Sequence, residues 1–311
     1  MDSDASAALP SIAACIIGDE ILNGKIQDTN VRYLARACFQ LGLTLQRVEM
    51  VADDHADIAE AVRRLAARYD HVITTGGIGP THDDITYEAL ARAFGDGKLV
   101  YHQPTLDRME RISPSQQPSP RSRSINSSRG TADETSAVAA AAAHHARRRM
   151  ALLPEHAQVV FPCEHLWVPI ATVENVAIFP GIPALFQTML DAWLPTLLIP
   201  SSPSPSLRPT EPTSTSTPNP PPHTRLAVRP FQRVAIATHW PESRIAAPLT
   251  ELQAQVADQK IKIGSYPLWQ DPRAKVVITF VGRDPERLTR CAELIKRQVE
   301  GFDWQEEEEE A

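Results

Sequence analysis

Three short apolar runs rich in β-branched residues occur in the first quarter of the chain, at 11–17, 43–51 and 71–75. After each comes a segment whose apolar positions fall three or four apart. Val31, Leu34, Ala35, Cys38 and Leu41 form one helical stripe, stopped by Gly42, with Thr29 or Asn30 as its expected cap. Ile58, Val62, Leu65 and Tyr69 form a second, and a third runs from 85 to Phe94 and stops at Gly95. Strand and helix alternating over short links predict a parallel sheet with helices on both faces. The plan returns further on: β-like runs at 158–161 and 166–173, a strand at 175–179, a Gly/Pro turn, then a helix over 184–194. Beyond residue 224 the order becomes a strand at 233–238, a helix at 243–256, strands at 260–263 and 275–281, and a helix at 284–299. That order predicts a small α+β domain, with Gly264-Ser265-Tyr266-Pro267 as a tight turn between its second and third strands.

Two tracts interrupt this pattern and hold much of the unusual proline content, 27 prolines against 13 glycines. Residues 112–143 have few large apolar side chains and are expected to be a disordered insertion; residues 200–223 are expected to be an extended linker. His144, His145, Arg147, Arg148 and Arg149 read as a solvated helix start. The expected organisation is therefore a tail at 1–10, an α/β domain at 11–199 with its insertion, the linker, a small α+β domain at 224–303 and an acidic tail at 304–311. The net charge of −7 owes five negatives to the glutamates at 306–310, so the remainder is near neutral and gives no support for a nucleic-acid partner. Cys15, Cys38, Cys163 and Cys291 are widely spaced without zinc spacing, and no secretory signal or membrane-length apolar run is visible. These features point to a reduced, cytoplasmic protein without a membrane partner.

Candidate chemistry centres on residues 74–84, TTGGIGPTHDD, which link a strand to a helix. Glycines there let the backbone approach an anion, and helix N–H groups favour it. The spacing fits neither a dinucleotide fingerprint nor a Walker loop. Asp84 and Glu88 lie four apart and share a helix face. Carboxylates beside a phosphate site would repel it unless a divalent cation intervened. Asp83 or Asp84 would serve equally as a helix cap with Glu88 in solvent, and on this turn alone the two readings stand level. Asp19, Glu20 and Asp28 after the first strand, and Asp53 and Asp54 after the second, fall at the same end of the predicted sheet, which favours a metal-assisted site on a phosphate-containing substrate. No Ser-His-Asp set or activated cysteine is suggested.

The strings Gly18-Asp19-Glu20-Ile21-Leu22-Asn23-Gly24, Asp28-Thr29-Asn30, residues 74–84 with Thr86 and Glu88, and Phe179-Pro180-Gly181-Ile182-Pro183 resemble the molybdopterin-binding-domain family. With Leu153-Pro154 and Gly264-Ser265-Tyr266-Pro267, they resemble in particular the branch of competence-damage-inducible proteins and the N-terminal half of eukaryotic FAD synthases. The resemblance implies a three-layer, doubly wound, mostly parallel α/β domain with a smaller α+β C-terminal domain. In the molybdenum-cofactor branch it implies adenylylation of a pterin with Mg and ATP, with Asp53 and Asp84 as the functional acids. In the second branch it implies hydrolysis of the pyrophosphate of FAD or ADP-ribose with a divalent cation (Mg, Mn or Co), often potassium, and no bound organic cofactor.

On this basis Asp84, Asp53, Glu88 and Asp83 are the expected catalytic residues. Gly18, Gly24, Asn30, Gly76, Gly77, Gly79, Thr81 and Gly181 are expected to bind substrate or phosphate, and Asp19, Glu20, Asp28 and Asp84 to hold the metal. The expected partner is a small nucleotide or pterin. Because family members commonly form dimers or trimers, a homo-oligomer is also expected. The FMN-adenylylating domain of FAD synthases has no counterpart in this sequence, so FMN adenylylation is not expected of this chain alone. A non-catalytic flavin- or nucleotide-binding regulator is the third alternative.

Overall fold

Ile12 to Ile17 are all buried in strand β1 (Ser11–Ile17), so this strand must be covered on both faces. In the computed structural model, which describes residues 9–112, 130–198 and 228–305, β1 lies inside a six-stranded sheet. Its partners are β2 (Thr44–Val51), β3 (His71–Thr75), β6 (Gln158–Val160), β7 (Ile170–Val173) and β8 (Val176–Phe179), in the order β2-β1-β3-β8-β7-β6. The pairs β1/β2, β1/β3 and β3/β8 are parallel. The last two strands are antiparallel, because β7 and β8 form a tight hairpin and β6 pairs with β7.

The short helix α1 (Asp19–Leu22) and α2 (Asn30–Leu41) connect β1 to β2, and α3 (His55–Ala66) connects β2 to β3 across β1. These crossings run in opposite directions, so right-handed connections put α2 and α3 on opposite faces. α4 (Thr86–Phe94) packs beside α3. On the other face α7 (Pro183–Trp193) is tied to α2, where the Tyr33 hydroxyl donates to both oxygens of Asp191 at 2.8 and 2.7 Å. The result is the expected three-layer, doubly wound, mostly parallel sheet.

Two elements between α4 and β6 carry no periodic signal: β4 (Leu99–Tyr101) pairs antiparallel with β5 (Leu152–Pro154), some fifty positions away in sequence. Between them lie α5 (Gln103–Ile112) and α6 (Gly130–Arg149). α6 corrects the expected disordered insertion at 112–143: its carboxyl part is helical, and the alanine run that lacks core-forming bulk is also the best helix former. The residues between Ile112 and Gly130 lie outside the described residues, as do the expected linker and nearly all of both expected tails. Arg147, Arg148 and Arg149 close α6 rather than open a helix, where cations complement its dipole.

The second unit holds a separate core. β9 (Gln232–Thr238), α8 (Glu242–Gln255), β10 (Lys262–Pro267), β11 (Val276–Gly282), α9 (Pro285–Gln298) and β12 (Phe302–Asp303) build an antiparallel sheet ordered β10-β11-β9-β12. One face packs Ile236, Ile278 and Phe280 against Ile245, Leu288 and Ile295 of the helices. The other carries a smaller cluster around Val277, Phe302 and Trp304, with the Arg273 guanidinium 4.8 Å from the Trp304 ring. The expected tight turn at 264–267 is corrected: these residues belong to β10, pairing with Thr279, Ile278, Val277 and Val276. Glycine and proline are tolerated there because β10 is an edge strand. Among the described residues no helix is long and apolar enough to cross a membrane.

Candidate functional site

The four parallel strands end at one edge of the sheet. The chain leaves β1 toward β2 on one side, while β3 lies on the other, so β1/β3 is the point where strand order reverses, where a sheet of this kind has its ligand crevice. Gly18 follows β1, Asp53 follows β2, Gly76 follows β3 and Gly181 follows β8. The sequence motifs therefore meet because parallel pairing delivers them to the same edge.

Backbone conformation fixes the glycines. Gly76 has φ 110° and lies so near the end of β1 that a Cβ would stand 2.0 Å from the Ile17 carbonyl oxygen. Gly77 has φ 64°, and a Cβ there would meet Thr86 Oγ1 at 2.3 Å. That Thr86 hydroxyl donates to the Gly76 carbonyl at 2.9 Å and its amide to Gly77 at 3.0 Å, locking the turn onto the start of α4. The Gly181 turn abuts this one. Asn30, 4% exposed, holds them together: its Nδ2 donates to Thr75 Oγ1 and to the Gly181 carbonyl, both at 2.9 Å. Thr75 passes its own proton to the Pro180 carbonyl at 2.9 Å, so Asn30 must present NH2 to both partners; its Oδ1 is buried with no protein partner.

The acids divide into two groups. Asp19 and Asp53 clasp each other across the ends of β1 and β2: the Asp19 amide donates to Asp53 Oδ2 at 2.9 Å, and the Asp53 amide to Asp19 Oδ1 at 3.3 Å. Burial pushes the Asp53 carboxyl above its ordinary value; the Asp19 amide opposes this, while the charges of Asp19, Glu20 and Asp83 add to it. Asp19, Glu20, Asp53 and Asp83 thus share one field. Asp84 and Glu88 are engaged elsewhere. Asp84 Oδ2 accepts from the Thr81 amide at 2.8 Å and from its hydroxyl at 2.5 Å. It folds over Gly79, where a Cβ would stand 2.6 Å from that oxygen. Glu88 lies between Arg149 Nη2 and His55 Nε2, each at 3.6 Å.

Neither Asp83 nor Asp84 caps α4, whose cap position is Ile85 without a side-chain hydrogen bond. Asp28 serves the start of α2: its Oδ1 accepts from the Val31 amide at 2.8 Å, while the Thr29 carbonyl accepts from the Tyr33 amide at 3.1 Å, leaving Thr29 at the expected cap position. Gly24 sits in an exposed turn with φ 75° and open space around it. The structure therefore gathers Gly18, Gly76, Gly77, Gly181 and Asn30 at this edge with Asp19, Glu20 and Asp53 beside them, and Asp83 lies on the 79–84 loop within the field felt by Asp53. Thr81 and Asp84 pair with each other, and Asp28 is used at the start of α2.

Two residues at the site escaped sequence reasoning. His55 follows the Asp53-Asp54 pair, and nothing in the string marks its contact with Glu88. Arg149 donates from Nη1 to the Thr81 carbonyl at 2.9 Å and from Nη2 to the Asp84 carbonyl at 3.3 Å. The available signal was the gathering of three arginines at a helix C-terminus.

Among the described residues, no three His, Cys, Asp or Glu side chains stand close enough to form a ready metal cage. The donors beside the crevice are all carboxylate oxygens, which suit hard divalent cations. A magnesium-like ion carried on phosphates needs only one or two protein carboxylates, and Asp19, Glu20, Asp53 and Asp83 fit that requirement.

The family model described as "Probable molybdopterin binding domain" matches residues 13–199. The chain belongs to this family. A second model, "FAD synthase, middle domain", matches residues 230–307. The chain is similar to a protein named "Probable FAD synthase" of Caenorhabditis elegans, 26% identical over 294 residues, covering 93% of this chain and 50% of the worm protein. It is also similar to a "CinA-like protein" of Citrifermentans bemidjiense, 46% identical over 101 residues, covering 32% of this chain and 24% of that one. The chain thus spans half or less of the length of these two relatives. A crystal structure titled as the protein CinA of unknown function from Thermoplasma acidophilum matches 61% of this chain and 98% of that one, with 23% identity and a TM-score of 0.47. The family domain contains the whole crevice, from the Gly18 turn to the Gly181 turn.

Proposed function

We propose that this chain is a metal-dependent nucleotide pyrophosphatase whose substrates are FAD or ADP-ribose. One observation carries the reading: a glycine-lined crevice at the strand-order reversal lies directly beside the acids that surround Asp53. An anion-accepting turn and an acidic cluster are mutually repulsive unless a cation-bound phosphate joins them. Similarity to proteins named FAD synthase supports a flavin nucleotide as ligand.

The turn at Gly76-Gly77, with Gly18 and Gly181 beside it, would let the chain approach the diphosphate closely. One or two of Asp19, Glu20 and Asp83 would hold the divalent cation, which when bound neutralises phosphate charge and polarises a phosphoryl oxygen. Asp53, its proton affinity raised, would accept a proton from the attacking water. The water oxygen bonds to one phosphorus, the bridging P–O bond breaks, and the bridging oxygen leaves on the second phosphate. FAD plus water gives FMN plus AMP. Asp84 shapes the loop, and Glu88 bridges His55 and Arg149.

Incubation with FAD, ADP-ribose, or ATP plus molybdopterin, each with Mg, Mn or Co and with or without potassium, tests the reading by chromatography of products. FMN and AMP from FAD, or AMP from ADP-ribose, is the expected result. Adenylylated pterin as the sole product would assign the chain to adenylyl transfer, and retention of FAD without turnover would make it a binding protein.

A further inference from the structure

The carboxyl end of α6 is pinned by three consecutive arginines that point to three different places. Arg147 Nη2 donates to the Met109 carbonyl at 3.2 Å, the Arg148 guanidinium lies 5.4 Å from the Tyr101 ring centre, and Arg149 reaches the loop at 79–84. Arg149 touches the site. Its Nη1 binds the Thr81 carbonyl and its Nη2 the Asp84 carbonyl, and Nη2 also faces Glu88, whose other oxygen faces His55 of α3. One planar fork therefore ties both ends of the Thr81–Asp84 bend to α4, and through Glu88 to α3. That bend carries Asp83 and presents the Thr81–Asp84 pair. Arg149 and Glu88 are each about a third exposed, so solvent screens their ion pair in part and the two carbonyl hydrogen bonds carry most of the attachment.

We infer that Arg149 is a positioning residue: it holds the 79–84 loop, which carries Asp83, against the start of α4, and thereby couples helix α6 to the site. The catalytic half of this inference rests on the pyrophosphatase reading; the structural half does not. A lysine could supply charge but not the planar fork that spans two carbonyls and a carboxylate.

The test compares wild type, Arg149→Ala, Arg149→Lys and Arg148→Ala by steady-state FAD hydrolysis and by amide hydrogen exchange of the peptide over residues 79–84. Arg149→Ala is expected to speed exchange in that peptide at least tenfold and to lower kcat by about 10- to 100-fold, the scale of a misplaced catalytic group, with KM changed less than threefold. Methylguanidinium added to Arg149→Ala should restore part of kcat, Arg149→Lys should remain impaired, and Arg148→Ala should stay within twofold of wild type. Unchanged exchange over 79–84 in Arg149→Ala overturns the clamp whatever the activity. Faster exchange with unchanged kcat overturns its role in the reaction. If wild type hydrolyses neither FAD nor ADP-ribose, the pyrophosphatase reading and the catalytic role fall together, and the exchange result still decides the clamp.

Discussion

Asn30 shows how one buried side chain can hold a site assembled from distant segments. It joins the start of α2 to the end of β3 and to the Gly181 turn. Removing it leaves the Gly181 carbonyl without its donor and Thr75 Oγ1 without one partner. Asn30→Ala is expected to lower unfolding stability by about 1–3 kcal/mol, read from urea denaturation, and to weaken nucleotide retention because the two turns are no longer tied. Gly77→Ala meets two obstacles at once, the positive φ and the Thr86 hydroxyl. It is expected to cost about 1–3 kcal/mol of backbone strain and to abolish binding in an equilibrium titration with FAD. The glycine positions were visible in the sequence because a turn of this kind needs that residue type, and Asn30 because the string Asp28-Thr29-Asn30 resembles the family's. The split among the acids was not: spacing placed Asp84 with the metal ligands, but its carboxylate bonds back to Thr81, and only folding of the loop decides which acids face the crevice.

At the scale of elements, the hydrophobic periodicity was sufficient where helices and strands are long and amphipathic. β1, α3 and α9 follow directly from their stripes. β4 and β5 are three residues each and pair across some fifty positions, so no local pattern encodes them. The 264–267 string looked like a turn because Gly, Ser and Pro are turn residues, yet an edge strand accepts them. Two caps and pins give checks at this scale. Asp284 Oδ1 accepts from the Glu286 and Arg287 amides at 3.1 and 3.2 Å, so Asp284→Ala should cost about 1 kcal/mol in α9, measurable by thermal melting. Asp70 accepts from the Ser11 amide and hydroxyl at 2.7 and 2.6 Å, joining the starts of β1 and β3. The hydroxyl, then the amide, hold its carboxyl below the ordinary 3.8. The folded value is depressed, so this contribution is complete above pH 3.8 and disappears as pH falls through the lower folded value. Ser11→Ala should therefore narrow the stability difference between pH 5 and pH 2.5 relative to wild type.

For the whole molecule, each of the two units buries its own apolar side chains. Phe280 is fully buried at the centre of the second, packed between its sheet and helices. Phe280→Ala should cost about 3–5 kcal/mol, a large part of the stability of a unit this size, and calorimetry should show it as a lowered transition. The α/β class and the order of both units were legible because alternation of strand and helix is a property of the chain. The clamp from α6 was not, because its three arginines end a helix whose alanine-rich body resembles low-complexity sequence.

The central claim is that the acids around Asp53 and the glycine crevice act together on a pyrophosphate. Mass spectrometry of the products formed from FAD and Mg in 18O-labelled water tests it most directly. Wild type is predicted to release FMN and AMP with one 18O in a single product, and Asp53→Asn to lower kcat by about 100-fold or more at an unchanged melting temperature. Intact FAD together with intact ADP-ribose after incubation with wild type, or full activity in Asp53→Asn, would contradict the account.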